Sequence, residues 1–465
     1  MIKYKSKESV EQLLILQKEK TRSIGNNLSE RLGNLDRLKK MLIENEQLFL
    51  DALKKDLGKS AVESYTSELA VILNEIDFMK KHLKKWIKPK HQHRLSLSGW
   101  TDTEVTLLPY GSVLILSPWN YPLQLTLVPL VGALAAGNSC VIKPSEYVPT
   151  VSKLVAELIE KYLKPAVAAV VEGDAQTAAE MVSLNWDFIF FTGSKSVGKL
   201  VHQAAAERQI PVVLELGGKN PCIVDPSGFT KAAVREIAWG KYLNAGQTCI
   251  APDMVYVHES IYQDFLKQLK EEIRQLYSEE PKQSQVYGKI IHRKEWPRLL
   301  GYLEEGTIFY GGESDQANRY FAPTILTDIL EGSSILEEEI FAPILPVIPY
   351  HSVETIADHL SKKAVPLVTY VFSRDEKKID YLNQRLRSGA FSVNQVIRFA
   401  ARSTLPFGGL EESGFGRYHG RASIETFSFQ HVFYKQKNTS SLKQQYPPYQ
   451  MNQLKVLKKW RKRLF

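Results

Sequence analysis

Cysteine is scarce in this chain, with only Cys140, Cys222 and Cys249 among 465 residues. So small and odd a number gives no disulfide framework. It suits a reducing compartment, here taken as the cytoplasm, and leaves at least one thiol to explain. A membrane-spanning run is also missing. The longest apolar stretch, "LQLTLVPLVGALAAG" at 123–137, is 15 residues long and is interrupted by Gln124 and Pro129. A bilayer needs about 20, so the stretch reads as a core helix. The opening "MIKYKSKESVEQLL" has no extended apolar segment and no small-residue cleavage site, so export is not expected. The net charge of +9 is largely local, because the last eleven residues, "KVLKKWRKRLF", carry six basic side chains and no acid. The body is therefore only mildly basic, and neither a nucleic-acid partner nor a metal is expected.

What remains is an ordinary globular composition, 44% hydrophobic and 24% charged, in a chain long enough for two or three lobes. Residues 8–88 read as a series of helices. In "NLDRLKKMLIENEQLFLDALKKDL" the residues Leu38, Met41, Leu42, Leu48, Leu50 and Leu53 recur at helical spacing and predict one apolar face. "EVTLLPYGSVLILSP" then predicts two strands split at Pro109-Tyr110-Gly111. Beyond it, apolar strands such as "SVLIL", "SCVIKP", "DFIFFTG" and "VVLEL" alternate with helical segments. That alternation indicates an α/β fold with a parallel sheet covered on both faces. A second such series runs from about 229 to 400. Residues 437–465 form a polar, then basic, appendage.

Four short stretches carry chemical meaning. "DFIFFTGSKSVGKLV" is a strand, a glycine turn and a helix start. There Gly193 and Gly198 permit close backbone approach, and Ser194 adds a hydroxyl at a helix N-terminus suited to phosphate. It lacks the full G-x-G-x-x-G fingerprint. "VIKPSE" sets Lys143 and Glu146 after another strand end, where a cation and a carboxylate suit phosphate and ribose or serve as plain loop charges. "VVLELGGKNP" puts Glu215 in an apolar strand, where burial raises a carboxyl and makes it a base near neutral pH, unless it is solvated at the strand end. "SPWNYP" holds Asn120 among rings and prolines, either as an amide donor to an oxyanion or as a turn residue. Finally, "YLNAGQTCIAPD" places Cys249 among small and polar residues, unlike a core cysteine.

Together these stretches resemble the aldehyde dehydrogenase superfamily, in the subgroup of class 3 and fatty aldehyde dehydrogenases. The resemblance covers roughly residues 10–435 and rests on "PWNYP", "KPSE", "FFTGSKSVGK", "LELGGKNP", "NAGQTC", "EEEIFAP" and "LPFGGLEESGFGRYHG". It implies a Rossmann-type NAD(P)-binding domain (1–88 and 111–208) and an α/β catalytic domain (209–402). It also implies a bridging and oligomerisation element (89–110 and 420–436), before a basic tail (437–465).

The resemblance further implies that Cys249 attacks the aldehyde, and that Asn120 and the Cys249 N–H hold the oxyanion. Glu215 would activate the water that hydrolyses the thioester. Lys143 and Glu146 would meet the adenosine ribose, and Gly193, Ser194 and Gly198 the pyrophosphate turn. Glu339, rather than Glu338, would take the nicotinamide ribose, with Phe341 beside the ring. Ala342 stands where many relatives have glycine, and Asn394 resembles a supporting position. "LPFGG" at 405–409 would border the substrate tunnel, and Cys140 and Cys222 would be core. NAD is the expected cofactor because Glu146 would repel a 2′-phosphate, with NADP remaining open. Substrates would be medium- to long-chain aliphatic or aromatic aldehydes. A homodimer would form through strands near 104–110 and 427–434. The tail, with Leu454, Leu457, Trp460 or Arg461 and Leu464 on one helical face, would rest peripherally on an anionic membrane or cover the tunnel. The competing readings are a CoA-acylating aldehyde dehydrogenase, disfavoured by Glu215, and a non-catalytic, crystallin-like protein of the same fold. A cysteine hydrolase fits poorly, since no histidine precedes His258 near Cys249.

Overall fold

Helices Lys7–Ile24, Leu28–Glu44, Glu46–Leu57, Ala61–Ser64 and Ala70–Trp86 come before the first strand. The computed structural model describes residues 7–24, 27–96, 99–436 and 447–464, without the side chains of 22–24, 92–96, 99–100 and 460–464. Leu38, Met41, Leu42 and Leu53 are fully buried, whereas Leu48 is 52% exposed and Leu50 half-buried. The expected apolar face fails at Leu48 because the helix breaks at Asn45. The break resets the phase, so Phe49 turns inward instead.

Six strands form the first sheet, in the order Gly414–Phe415, Val212–Glu215, Phe188–Thr192, Ser112–Leu116, Ser139–Lys143, Ala168–Val170. All neighbours are parallel except Gly414–Phe415, which runs antiparallel to Val212–Glu215. The helix Gln124–Ala136, buried from Leu125 to Ala136, is the core helix expected from its mostly apolar run. From Ser112–Leu116 the chain steps outward to one side, then returns to place Phe188–Thr192 on the other. The crevice between those two strand ends is a topological switch point, where open α/β sheets bind ligands. The segments leaving it are Ser117–Asn120 and Gly193–Ser194.

The second sheet has seven strands, ordered Thr307–Tyr310, Thr324–Thr327, Ile344–Tyr350, Met254–His258, Pro221–Val224, Val368–Phe372, Ala390–Val393. A third sheet joins Lys90–Ser96, Gly99–Pro109 and Ser428–Gln436 in antiparallel pairing. Two expected boundaries shift. Val212–Glu215 lies in the first sheet, not beyond a boundary at 208, because its ladder with Phe188–Thr192 runs on to the Thr192–Glu215 pair. Residues 420–426 form a helix, and the strand begins at Ser428. Among the described residues no helix is long and apolar enough to cross a membrane. The tail contains the helix Met451–Leu464, with Leu454 exposed and Leu457 half-buried. The side chains of Trp460, Arg461 and Leu464 lie outside the described residues.

Candidate active site

Between the helix Lys231–Tyr242 and Cys249 the chain makes a turn that ordinary residues resist. Asn244, Ala245 and Gly246 have φ of 51°, 52° and 75°. Left-handed backbone costs an L-residue about 1–2 kcal/mol, and asparagine tolerates it better than alanine. Gly246 is required twice over, since a Cβ there would lie 2.4 Å from the Ala342 carbonyl oxygen. Polar contacts hold the turn. The Asn244 N–H donates to the Glu63 carboxylate at 3.0 Å, and its amide donates to the carbonyls of Asn120 (2.9 Å) and Gln247 (3.3 Å). On the far side, the Asn220 amide donates to the carbonyls of Cys249 (2.7 Å) and Ala251 (3.1 Å). The thiol is therefore pinned from both directions.

Asn120 is equally fixed. Its amide donates to the Gln247 carbonyl at 3.1 Å, and its own carbonyl receives the Lys59 ammonium at 2.9 Å. Lys59 is fully buried and paired with the equally buried Glu68 at 2.6 Å. Glu68 in turn accepts the Leu123 N–H at 2.8 Å. This buried ion pair thus ties the helical region before the sheets to the Asn120 loop.

Cys249 is half-buried in a wall common to two cavities. The inner one, about 240 Å³, is lined by Asn120, Gly193, Ser194, Glu215, Glu339 and Phe341 among others. It opens from the switch point of the first sheet. The outer one, about 580 Å³, is mostly apolar, with Tyr121, Leu125, Trp239, Ile250, Phe407 and Tyr418 in its wall. The nucleophile candidate, both carboxyls and the amide donor therefore share one enclosure.

Burial sets their protonation. It pushes Glu215 well above the usual carboxylate range, against the pull of Arg417, and neither Glu215 oxygen has a hydrogen-bond partner. Burial also raises Glu339 to about 8, helped by Asp253. Cys249 rises to about 12 through burial and then the charges of Glu339 and Glu215, so the resting group is a thiol. The Cβ-free face of Gly217 makes room for Glu339, whose Oε2 would lie 1.8 Å from an added Cβ.

Other expected residues are arranged less simply. Phe341 has a strained φ of 48° and meets the Trp119 ring edge-on at 5.5 Å. Ser194 caps the helix Lys195–Ala206, accepting the Val197 N–H at 3.4 Å. Gly198 lies outside the inner cavity; it is buried, and an added Cβ would lie 2.6 Å from a Leu216 methyl carbon. Lys143 and Glu146 pair with each other at 2.7 Å and also lie outside that cavity. Asn394 exchanges hydrogen bonds with the Ser373 backbone, away from both cavities. Cys140 and Cys222 are fully buried strand residues. Sequence reading missed Asn220, Asn244, Lys59, Glu68 and Glu63. Of these, only Asn220 and Asn244 lay inside a quoted stretch.

A profile of the aldehyde dehydrogenase family matches residues 3–432. A 4,4'-diapolycopene-4,4'-dial dehydrogenase of Cytobacillus firmus is 46% identical over 403 residues, 87% of this chain and 89% of that protein. Human aldehyde dehydrogenase family 3 member B1 is 42% identical over 398 residues, covering 86% and 85%. The substrate-bound state of Staphylococcus aureus AldH superposes with a TM-score of 0.92 at 38% identity, covering 97% of this chain and 99% of that one. A Mycobacterium tuberculosis aldehyde dehydrogenase complexed with NAD+ superposes at 0.80 and 26% identity, covering 92% and 90%. The chain belongs to the aldehyde dehydrogenase family, and is an oxidoreductase that oxidises aldehydes.

Proposed function

We propose that Cys249 is the nucleophile, Asn120 the oxyanion donor and Glu215 the base, with the nicotinamide end of NAD in the inner cavity and the aldehyde in the outer one. The observation that carries this reading is the place of Cys249 in the wall shared by the two cavities. The inner cavity suits the nicotinamide and phosphate part of a dinucleotide on three counts. It lies at a switch point, the capped helix Lys195–Ala206 opens beside it, and the unpartnered Thr192 hydroxyl lines it. Glu339 is assigned to the nicotinamide ribose and Phe341 to the ring face, while Lys143 and Glu146 are assigned to the adenosine end. Glu146 disfavours a 2′-phosphate there, which argues for NAD over NADP.

Cys249 gives up its proton to water, and the thiolate adds to the aldehyde carbon. The Asn120 amide and the Cys249 N–H then stabilise the new oxyanion in a dry site. NAD, when bound, supplies the acceptor for the hydride that the oxyanion expels. The acyl group remains on Cys249 as a thioester, and Glu215 deprotonates the water that releases the acid. The volume and apolar walls of the outer cavity favour medium- to long-chain aliphatic or aromatic aldehydes.

Two further assignments belong here. Phe429, Val432, Phe433 and Tyr434 are exposed on the edge strand Ser428–Gln436, which suits a homodimer. The basic helix Met451–Leu464 suits peripheral contact of a cytoplasmic protein with an anionic membrane. The deciding experiment follows reduced cofactor at the nicotinamide absorbance. Cys249→Ala is expected to abolish turnover while the fold persists. Glu215→Gln is expected to give one burst and then a rate lower by at least about 100-fold. Turnover by Cys249→Ala removes the assignment.

A further inference from the structure

Glu63 has no place in the chemistry above, yet it touches both sides of the site. It sits on the short helix Ala61–Ser64, and its side chain lines the outer cavity. One carboxylate oxygen accepts the Asn244 N–H at 3.0 Å. Asn244 opens the left-handed turn, and its amide holds the carbonyls of both Asn120 and Gln247. The Asn120 amide shares that Gln247 carbonyl. From Glu63, one further residue reaches both the Asn120 loop and the segment leading to Cys249. Asparagine and alanine at positive φ keep that conformation only where surrounding contacts impose it. Among the described residues, Glu63 is the one side-chain acceptor of the Asn244 N–H.

We propose that Glu63 is a positioning residue: from the wall of the substrate cavity it holds the Asn244 turn, and through it the relative placement of Asn120 and Cys249. The proposal rests on the roles assigned to those two residues under the proposed function. The groups facing Glu63 are Lys59, Glu68 and the phenols of Tyr121 and Tyr277. Burial raises its carboxyl to about 7 against the pull of Lys59. Around neutral pH the contact therefore needs an acceptor more than a charge, and a glutamine amide provides one.

The test uses the full chain with NAD and decanal. Glu63→Ala is expected to lower kcat and the pre-steady-state burst rate by about tenfold, with KM for NAD within about twofold. Glu63→Gln, which keeps an acceptor in place, is expected to stay within about threefold of the parent. If Glu63→Ala does not accumulate folded, Glu63→Asp, one methylene too short for the contact, takes its place with the same expectation. A parental kcat in the alanine or aspartate variant overturns the proposal. So does a glutamine variant as slow as alanine, or a loss confined to KM for decanal, which would make Glu63 a wall contact only. Cys249→Ala is assayed beside them. If it is inactive while Glu63→Ala is normal, only the role of Glu63 fails; if it turns over, the reading of the site fails first.

Discussion

Replacing Gly246 with alanine separates two demands that the thiol loop makes on one position. The first is conformational, because φ at Gly246 is 75° and a left-handed alanine costs about 1–2 kcal/mol. The second is steric. The added Cβ would lie 2.4 Å from the Ala342 oxygen, 2.5 Å from its carbonyl carbon and 2.9 Å from Pro343 N. All three obstacles are backbone, so no rotamer change relieves them, and the two segments must part by about half an ångström. Overpacking of this kind costs about 1–3 kcal/mol, which gives a total near 2–5 kcal/mol. Gly332 is the internal control, with φ of 78° and nothing within 4 Å of an added Cβ. Gly332→Ala is expected to lose only the conformational part. Gly301, inside the helix Trp296–Leu303 and equally open, is expected to gain up to about 1 kcal/mol on becoming alanine. Urea unfolding midpoints of the three variants provide the comparison. Because the strained partner segment follows Phe341, Gly246→Ala is also expected to reduce kcat by up to about 100-fold. If Gly246→Ala unfolds within about 0.5 kcal/mol of Gly332→Ala, the backbone contact carries no weight and the reasoning fails.

Three other outcomes are expected. Lys59→Met leaves Glu68 buried without its cation and should cost about 3–5 kcal/mol in urea unfolding, with Lys59→Met/Glu68→Leu recovering much of it; equal loss in both would deny the pair. The pH dependence follows from the raised acids. Iodoacetamide should alkylate Cys249 faster as pH rises, with no plateau below about pH 10, and Glu339→Gln should quicken it at pH 8 by removing a nearby charge. Glu339 also keeps its proton longer in the folded chain than in the unfolded one. Its contribution to stability is therefore full below the ordinary value of 4.5 and is lost as pH rises through about 8. Glu339→Gln should flatten that decline, and an unchanged slope would contradict it.

Much of the α/β plan was legible because a strand buried on both faces must be apolar almost throughout, as "VLIL" and "FIFF" are. The same physics made Cys249 conspicuous: a thiol beside Gln247 and Thr248 lacks the neighbours of a core residue. What stayed hidden depends on contacts between distant segments. Leu48 matched the helical period, but a break at Asn45 turned it outward. The neighbour of Gly198 is Leu216, on a different segment, which its own turn does not announce. Lys59, Glu63 and Glu68 lie in "GKSAVESYTSEL", a stretch with no chemical signature of its own. Nothing local distinguishes a glutamate that meets water from one that holds Asn244 across the chain.

The antiparallel strand Gly414–Phe415 has a consequence for biosynthesis. Glu215 is paired with Gly414, about 200 residues further along, so the edge of its strand stays uncovered until nearly all of the chain has emerged. A ribosome-bound fragment ending near residue 400 has the thiol, the amide and the carboxyl, but lacks the segment that seals the carboxyl from water. Catalytic competence should therefore arrive late and abruptly during synthesis, and chains stalled before that point would offer chaperones an open sheet edge.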